Sequence, residues 1–451
     1  MPARVWWLRR DLRLIDQPAL LAASVGGEVL PLFVVDPRLW GPSGDVRRAY
    51  LARSLRALNA ELAGALHVRR GDPATVVRDV AREIDADEVH VAADYGPYGA
   101  SRDENVAAAL GADRRILVRT GSPYAVAPGR VRKDDGTPYR VFTPFYRAWL
   151  AHGWRAPAPD PRPGVAWAEL RGGGSLPEPP DLGSLVLPVT GERAAMRRWS
   201  EFRTDGLAGY ADGRNRPDHV STSGLSAALK WGEVHPRTLL SDLGDSAGHE
   251  AFRRQLAWRD FYADVLHHSP WSARTNLRPE LNDIEYDEGP VPDARFQAWC
   301  AGRTGYPFVD AGMRQLLAEG WMHNRVRMVV ASFLLKDLHL RWTRGAQWFM
   351  RLLRDGDVAS NQHGWQWVAG TGTDAAPYHR VFNPVAQGLR FDPDGDYVRR
   401  YVPELAGVSG PAVHEPWALV GGPPAAYPPR IVEHAVERQS ALDRYATAKS
   451  N

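Results

Sequence analysis

The chain of 451 residues contains one cysteine, Cys300, and only four lysines among its 56 basic residues. A single cysteine excludes an internal disulfide and every metal or iron–sulfur site built on several thiolates, so any cofactor is expected to be organic. The sequence also lacks an uninterrupted apolar run of membrane-spanning length. Its N-terminus, MPARVWWLRRDLRL, has no apolar core or cleavage site of a signal peptide, which predicts a cytoplasmic protein without a membrane partner.

The formal net charge is only +3, so a nucleic-acid partner has to be argued from local clusters rather than from overall charge. Arginine supplies nearly all the basic residues, and it keeps its charge, pairs with phosphates through two hydrogen bonds and stacks on aromatic rings. A GC-rich genome produces the same bias and is the simpler explanation of the composition as a whole.

The first 120 residues alternate short apolar runs with amphipathic stretches, one of which is residues 51–62 with leucine at helical spacing. Strands that alternate with helices predict a parallel sheet with helices on both faces, and ligands bind beyond the carboxyl ends of such strands. No G-x-G-x-x-G or P-loop motif follows a strand, which argues against dinucleotide and P-loop sites. The predicted strands are residues 5–8, 29–35, 66–69, 89–93 and 116–118.

Residues 155–190 are dense in proline and glycine, which predicts a connector that lies along a surface or is disordered. The chain then becomes helical, and in the helix predicted for residues 324–340 an apolar stripe leaves Asn324 and Met328 together on another face. The other predicted helices are residues 194–202, 250–267, 294–299 and 311–319. We therefore predict an α/β domain with a five-stranded parallel sheet in residues 1–128, a connector in 129–190 and an all-α domain in 191–451.

The sequence has seventeen tryptophans, which are costly core residues because a buried indole N–H needs a partner. A platform for stacking bases and an electron relay beside a redox cofactor are two reasons to have so many. Taken singly, each tryptophan is more simply a core residue. The cluster formed by Trp258, Trp365 and Trp367 near several arginines is harder to explain in that way.

Two polar clusters each have a functional and a structural interpretation. Thr222, Ser223 and Ser226 precede a helical run, where hydroxyls either bind a phosphate or cap the helix. Asp355 and Asp357 either bind a cation or form a solvated turn, although no glutamate closes a twelve-residue calcium loop. Arg327 is able to pair with one of these aspartates and leave the other for a cofactor hydroxyl.

These segments together resemble the photolyase and cryptochrome family, and among its members the photolyases that repair cyclobutane pyrimidine dimers. The resemblance covers nearly the whole chain, and its motifs are long and occur in the family's order. They are WWLRRDLRLIDQPAL, VFTPFYRAWL, TSGLS, AWRDFY, TGYPFVDAGMRQL, WMHNRVRM, DGDVASNQHGWQW, GTDAAPYHRVFNP and HEPW.

The resemblance implies that the helical domain holds FAD in a folded, U-shaped form. It also implies that excited anionic FADH⁻ gives an electron to the dimer, whose ring splits before the electron returns, with Asn361 facing the flavin N5. Matched by motif, the implied FAD-binding residues are Tyr210, Thr222, Ser223, Gly224, Leu225, Ser226, Phe252, Gln255, Arg259, Trp321, Asn324, Arg327, Asp355, Asp357 and Asn361.

The implied partner is DNA that contains pyrimidine dimers, bound by a monomer, with the dimer flipped out of the duplex. Trp258 and Trp367 match the aromatic walls around the flipped dimer, and Met328 lies in a motif typical of dimer repair. The implied catalytic residues are Asn361, Gln255, Met328, Trp258 and Trp367, and the implied DNA-binding residues are Arg214, Trp258, Arg325, Trp367 and Arg380.

Three positions depart from the family's pattern. Gln255 replaces a glutamate that hydrogen-bonds the dimer, and a neutral amide gives a dimer radical anion less charge stabilisation, so slower or altered repair is expected. Gly224 replaces a basic residue, and Phe252 stands where a tryptophan is common.

The segment ADYGPYGASRD is similar to relatives that bind an 8-hydroxy-deazaflavin antenna. Arg47, Asp94 and Lys230 agree with the antenna site of those relatives, although a solvated lysine at a helix end is the plain alternative for Lys230.

Trp365 and Trp342 match the proximal and middle members of the family's tryptophan relay for photoreduction. The matching distal position is near Gly289, so Tyr286, or another tryptophan brought near by the fold, is expected to take the surface role. Two other functions stay open: a cryptochrome-like blue-light photoreceptor with weak or no repair, and a light-independent DNA-binding protein with a vestigial flavin.

Overall fold

The structure, a computed structural model, describes residues 3–172, 174–374 and 380–450. Five strands form one parallel sheet in the order β3-β2-β1-β4-β5. All five strands predicted from the sequence are confirmed, as is their parallel pairing. The strands are β1 (Ala3–Leu8), β2 (Glu28–Val35), β3 (His67–Arg70), β4 (Glu88–Val91) and β5 (Ile116–Arg119).

The apolar runs of these strands are explained by burial on both faces of the sheet. In β1, Trp6 and Leu8 pack into one apolar cluster, whereas Val5 and Trp7 pack into another. Successive side chains of a strand point to opposite faces, and a parallel sheet covered on both sides needs apolar residues at every position. The predicted helices on both faces are therefore confirmed.

The described helices follow in chain order, and short 3₁₀ turns lie at Arg162–Gly164, Pro270–Ala273, Pro279–Leu281, Pro403–Leu405, Gly410–His414 and Pro416–Ala418. Within the described residues, no helix has the length and apolarity needed to cross a bilayer. The helices are α1 (Pro18–Ala23), α2 (Pro37–Trp40), α3 (Asp45–Glu61), α4 (Pro73–Glu83), α5 (Pro97–Gly111), α6 (Phe142–His152), α7 (Glu192–Asp205), α8 (Tyr210–Gly213), α9 (Ser226–Trp231), α10 (Pro236–Ser241), α11 (Ala247–His268), α12 (Pro290–Cys300), α13 (Pro307–Glu319), α14 (Asn324–Lys336), α15 (Trp342–Leu352), α16 (Val358–Ala369), α17 (Pro384–Phe391), α18 (Asp396–Tyr401) and α19 (His434–Ser450).

The chain forms two compact units. The first comprises Met1–Leu182, Pro188–Ala208 and Ser223–Pro270, and the second comprises Gly183–Leu187, Gly209–Thr222 and Trp271–Asn451. The first unit thus contains the sheet together with α11. The sequence-based boundaries at residues 128 and 190 stay a prediction.

The proline- and glycine-rich connector lies along the first unit, where its backbone pairs with two strands. Val29 donates its N–H to the carbonyl of Ala166, and Ala168 donates its N–H to the carbonyl of Val29. Further on, Gly174 donates to the carbonyl of Val68. A connector with these hydrogen bonds matches the first of the two interpretations, a segment that lies along a surface.

Helix α14 starts where predicted but ends at Lys336, so the predicted end at residue 340 is wrong. Beyond it the chain turns, and His339 adopts a left-handed backbone conformation with φ of 51°. Leu338 and Leu340 stay fully buried after this turn. Their burial continues the apolar pattern past the end of the helix, which is why the sequence alone suggested a longer one.

Candidate active site

One face of α11 in the first unit carries three of the predicted site residues. Gln255, Trp258 and Arg259 lie at helical spacing and are half-buried. The Trp258 ring stacks face to face on Phe142, with centroids 3.8 Å apart and planes 8° apart. One face of the Trp258 ring is therefore covered, and the ring is held as a flat wall.

Gln255 and Arg259, the neighbours of Trp258 on α11, differ in how strongly their side chains are hydrogen-bonded within the protein. Gln255 donates only a long hydrogen bond, 3.5 Å, to the carbonyl of Ala251 in its own helix. Arg259 donates to the carbonyls of Pro123 and Leu229 at 2.7 and 3.1 Å. The amide of Gln255 is thus weakly held, whereas the guanidinium of Arg259 is anchored by the backbone.

Phe252, one of the predicted cofactor residues, is a core residue of the first unit. It is buried and stacks on Trp199 with ring centroids 5.3 Å apart. It also packs against Phe202 at 5.5 Å. These contacts explain why a large aromatic ring stands at this position.

The hydroxyl cluster ahead of α9 does not cap that helix. The N-cap residue is Leu225, and it has no side-chain cap hydrogen bond, so the plain N-cap interpretation is wrong. Ser223 instead accepts a hydrogen bond of 3.4 Å from the N–H of Leu225, and Ser226 is exposed. Gly224 has φ of +62°, a left-handed conformation that glycine adopts more readily than residues with a side chain.

In the second unit the DGD turn binds an arginine, as the sequence analysis suggested. Arg327 donates to Asp355 at 2.9 Å and to the carbonyl of Met322 at 2.8 Å. Asp357 caps α16 by accepting from the N–H of Ser360 at 3.1 Å. Asp355 is buried, whereas Asp357 is half-buried and more accessible.

Asn361 follows one turn into α16, and its amide is oriented by the protein. Its Nδ2 donates to the carbonyl of Ala346 at 3.1 Å and to Gln362 at 2.8 Å. The side-chain oxygen is thereby turned away from these two acceptors. Trp321 and Met328 are half-buried, and Asn324 is exposed on the face that it shares with Met328, which confirms the predicted arrangement. In this unit Tyr210 is buried at the start of α8, whereas Thr222 and Trp367 are half-buried.

Three other arginines of the second unit act on Arg325 electrostatically. Burial, and then Arg214, Arg390 and Arg380 in that order, lower the pKa of Arg325 to about 10. The Arg325 guanidinium lies over the Phe391 ring, 4.4 Å from its centroid. Arg390 was missed by sequence reasoning, because only the fold brings its helix beside Arg325. The motif around Arg380 includes residues 375–379, which lie outside the described residues.

The predicted tryptophan relay is buried, and its two members lie on helices that touch. Trp342 on α15 donates its indole N–H to Asn276 at 2.8 Å. One turn later, Gly345 lies so close to Trp365 that an added Cβ would be 2.1 Å from the ring. Trp365 is 3% exposed and also meets Trp299 edge-on at 6.2 Å.

Tyr286, the predicted surface member, is half-buried and faces a cation. The guanidinium of Arg341, next to Trp342 in the chain, lies 4.8 Å from the centroid of the Tyr286 ring. Burial raises the pKa of Tyr286 to about 12. A neighbouring positive charge disfavours electron loss from this ring, so the role of Tyr286 stays a prediction.

The predicted antenna residues belong to segments at the carboxyl edge of the sheet. Asp94 follows β4, and Arg47 is on α3, which comes after β2. Lys230 is on α9, whose Trp231 carbonyl accepts from the N–H of Leu12, just after β1. The strand order reverses between β1 and β4, and ligands of such sheets bind at that point.

Asp94 sits in a strongly positive environment. Burial would raise its pKa, but Arg10, Arg9 and Arg102 outweigh burial and hold the pKa of Asp94 far below its usual range. Arg102 forms an ion pair with Asp94 at 3.2 Å. An added Cβ at Gly99 would lie 2.2 Å from the carboxyl carbon of Asp94, which explains the second glycine of GPYG.

The donor groups among the candidate residues fit an organic anion with hydroxyl and amide groups better than a metal ion. The described residues contain no group of three His, Cys, Asp or Glu side chains placed for a metal. Accessible hydroxyls, a positioned amide and an arginine–carboxylate pair suit the phosphates, ribityl hydroxyls and ring edge of a flavin dinucleotide.

Comparisons with known proteins agree with this chemistry. Residues 4–163 match the family described as DNA photolyase, and residues 252–447 match the FAD binding domain of DNA photolyase. The deoxyribodipyrimidine photo-lyase of Streptomyces griseus is 44% identical, with 95% of this chain and 96% of that protein covered. The chain belongs to the DNA photolyase family.

Solved structures extend the likeness to the whole fold. A bacterial class III photolyase from Agrobacterium tumefaciens superposes with a TM-score of 0.92 at 36% identity, with 100% of this chain and 98% of that chain covered. An archaeal photolyase from Sulfolobus tokodaii, solved with two FAD molecules, gives a TM-score of 0.86 at 28% identity, with 99% and 100% covered. The predicted fold class is confirmed, whereas the deazaflavin antenna is not shown.

Proposed function

We propose that this protein is a light-dependent lyase that splits cyclobutane pyrimidine dimers in DNA with FAD as its cofactor. The observation that carries the proposal is that Arg325 lies within the electrostatic influence of Arg214, Arg390 and Arg380, a set called here the arginine cluster. Burial, and after it the like charges of the other three arginines, lower the pKa of Arg325, and such charges are stabilised when an anion such as a phosphate backbone binds beside them.

The residues that would hold FAD are those that the family's motifs match. Ser223, Gln255 and Arg259 would supply donors, and Arg327, Asp357 and Asn361 would supply polar groups. When bound and reduced, FAD supplies the light-excited electron that opens the cyclobutane ring. Asn361 is the proposed partner of the flavin ring edge, since its amide is already oriented by hydrogen bonds.

The flipped dimer is proposed to contact the aromatic and polar side chains that the family's motifs match. Trp258 provides a stacking surface that Phe142 supports from behind, and Trp367 and Met328 are half-buried candidates for the other contacts. Gln255 is proposed to hydrogen-bond the dimer, because its amide makes only a weak bond to its own helix. The arginine cluster positions the DNA backbone without reading its sequence.

A second chromophore is proposed at the carboxyl edge of the sheet, and its chemistry is that of an 8-hydroxy-deazaflavin. The support is that Asp94 and Arg47 lie on segments that come after β4 and β2, and that Lys230 is next to Trp231, whose carbonyl accepts from the segment after β1. The Sulfolobus relative was solved with two FAD molecules, so a flavin is the competing occupant. Titration with the deazaflavin, FAD and a folate decides between them; tighter binding of either competitor would refute the deazaflavin assignment.

The proposal requires the purified protein to carry a flavin and to recognise damage. We expect a flavin absorption spectrum and tighter binding of a duplex with one thymine dimer than of the same duplex without it. A protein that binds DNA but carries no flavin would favour the light-independent DNA-binding alternative. A photoreceptor would show the flavin spectrum without preference for the dimer.

A further inference from the structure

Five aromatic rings form a continuous row within the first unit. The row runs from half-buried Trp154 to Trp149, with ring centroids 4.6 Å apart, and on to Tyr146 at 6.1 Å. Tyr146 stacks on Phe142 at 5.7 Å, and Phe142 stacks on Trp258 at 3.8 Å. The row therefore connects the proposed dimer wall with a tryptophan that is partly accessible to solvent.

Two members of the row donate a hydrogen bond to a carboxylate. The Tyr146 hydroxyl donates to Oε1 of Glu250 at 2.8 Å. The indole N–H of Trp149 donates to Oδ2 of Asp260 at 3.0 Å. Both distances are those of a base within reach of the proton that it takes. By contrast, the indole N–H of Trp342 meets an amide oxygen, which is a far weaker base.

These carboxylates matter because a tyrosine or tryptophan that has lost an electron becomes a strong acid. A carboxylate that takes the proton leaves a neutral radical in place of a cation. Burial raises the pKa of Asp260 to about 6, so its carboxylate is a better base than an exposed aspartate while still largely ionised at neutral pH.

The neighbouring charges favour this coupled loss of electron and proton over formation of a cation. The Arg254 guanidinium lies 4.7 Å from the centroid of the Tyr146 ring and opposes a positive charge there. Arg253 donates to Oε2 of Glu250 at 2.7 Å and leaves Oε1 to Tyr146. The row is thus built to carry neutral radicals.

We propose that the row Trp154–Trp149–Tyr146–Phe142–Trp258 is an electron relay. It would re-reduce Trp258 after a light-generated oxidant has removed an electron from it. The relay would protect the dimer wall from oxidative damage. This role rests on the proposed function, in which Trp258 lines a photochemical site.

Electrons and protons balance at each step. Oxidised Trp258 takes one electron from Tyr146 across Phe142, and the phenolic proton moves to Glu250. Tyr146 is then restored by an electron from Trp149 and the proton held on Glu250, while the indole proton of Trp149 moves to Asp260. Trp154 passes the next electron to Trp149, which takes its indole proton back from Asp260. A small-molecule thiol at the surface then gives one electron to the Trp154 radical cation, releases its proton to water and becomes a thiyl radical.

The test maps oxidation by mass spectrometry after brief exposure to a one-electron oxidant made by flash-quenching a ruthenium polypyridyl complex. In the parent, oxidation should collect at Trp154 and Tyr146, with little at Trp258. In Tyr146→Phe, oxidation of Trp258 should rise several-fold. Tyr139→Phe is the matched control, because Tyr139 contacts Phe145 edge-on, outside the row. The oxidant is supplied externally, so the result does not depend on whether the protein repairs DNA.

Glu250→Gln separates the relay from simple packing, since it keeps a hydrogen-bond acceptor for Tyr146 and removes the base. It should raise Trp258 oxidation as Tyr146→Phe does, and it should reduce the tyrosyl radical seen by electron paramagnetic resonance in the parent. Circular dichroism checks that each variant is folded. Unchanged Trp258 oxidation in a folded Glu250→Gln variant, or equal oxidation in the parent and Tyr146→Phe, would overturn the proposal.

Discussion

At the scale of single residues, the site is defined by charged and polar groups whose environments are unusual. Arg325 is held among three other arginines, and Asp260 is buried against an indole and a backbone N–H. The predicted pairing of Arg327 with an aspartate of the DGD turn is confirmed by its hydrogen bond to Asp355, whereas the DNA-binding role of Arg325 stays a prediction. Arg390 and the partner of Trp258, Phe142, were missed, because they come from segments that meet only after folding.

The DNA role of Arg325 predicts a uniform loss of binding when its charge is removed. Arg325→Ala should weaken binding to damaged and intact duplexes alike and reduce the slope of log affinity against log salt by about 0.9, as expected for one lost phosphate contact. Arg351→Ala, at an exposed position of α15, is the matched control. Identical affinities of parent and Arg325→Ala across the salt series would remove Arg325 from the interface.

The raised pKa of Asp260 predicts a pH-dependent stability difference. A group whose folded pKa lies above its unfolded value of 3.8 stabilises the fold at low pH and loses that contribution as the pH rises through about 6. Asp260→Asn should therefore gain about 2–3 kcal/mol relative to the parent between pH 4 and pH 7. Urea unfolding at both pH values measures this gain, and a constant difference between the two proteins would contradict the assignment.

At the scale of elements, helix contacts decide where cofactor and relay residues lie. The sequence predicted the strands well, because residues buried on both faces give continuous apolar runs. It overestimated α14, since Leu338 and Leu340 stay buried after the backbone leaves the helix. The pattern of apolar residues along the sequence could not reveal that Gly345 permits α15 to lie against Trp365, because that contact joins two helices.

The close approach of α15 to Trp365 predicts a large effect of one methyl group. Gly345→Ala places a Cβ 2.1 Å from the Trp365 ring and 2.6 Å from Leu334. It should destabilise the fold by about 1–3 kcal/mol through overpacking and shift the fluorescence of the displaced indole. Gly364→Ala, on α16 with open space around its Cβ, should instead stabilise by about 0.5–1 kcal/mol. Equal unfolding midpoints for both variants would refute this packing argument.

The buried tryptophan pair predicts that one substitution can remove photoreduction of the flavin without removing repair. Trp365→Phe should abolish most light-driven reduction of the bound flavin and leave repair by chemically reduced protein largely intact, because repair takes its electron from the reduced cofactor directly. Transient absorption and a repair assay of the same preparation measure the two. Loss of both activities in a folded, flavin-loaded variant would place Trp365 in the dimer site instead.

The surface end of this relay is tested by Tyr286→Phe. A deprotonated tyrosyl signal in the parent that is lost in this variant supports Tyr286 as the terminal donor. An unchanged tryptophanyl signal would assign the role to another tryptophan, as the cation over the Tyr286 ring favours.

At the scale of the whole molecule, an α/β unit and a helical unit each supply part of the predicted chemistry. The fold class followed from the rhythm of strands and helices together with the family's motifs, and the likeness to solved photolyases over the full chain confirms it. The identity of the second chromophore at the carboxyl edge of the sheet could not be predicted in the same way, because the arginine–carboxylate pair at that edge suits more than one planar anion.

The central claim is light-driven dimer repair, and single-turnover repair of one site-specific thymine dimer tests it most directly. Chemically reduced holoprotein bound to a dimer-containing oligonucleotide is given blue-light flashes or kept in darkness, and intact thymines are counted by chromatography. The account predicts restored thymines that increase with flash number and none above background in darkness. Flavin-loaded, DNA-bound protein that restores no thymines in the light would contradict it and favour the photoreceptor.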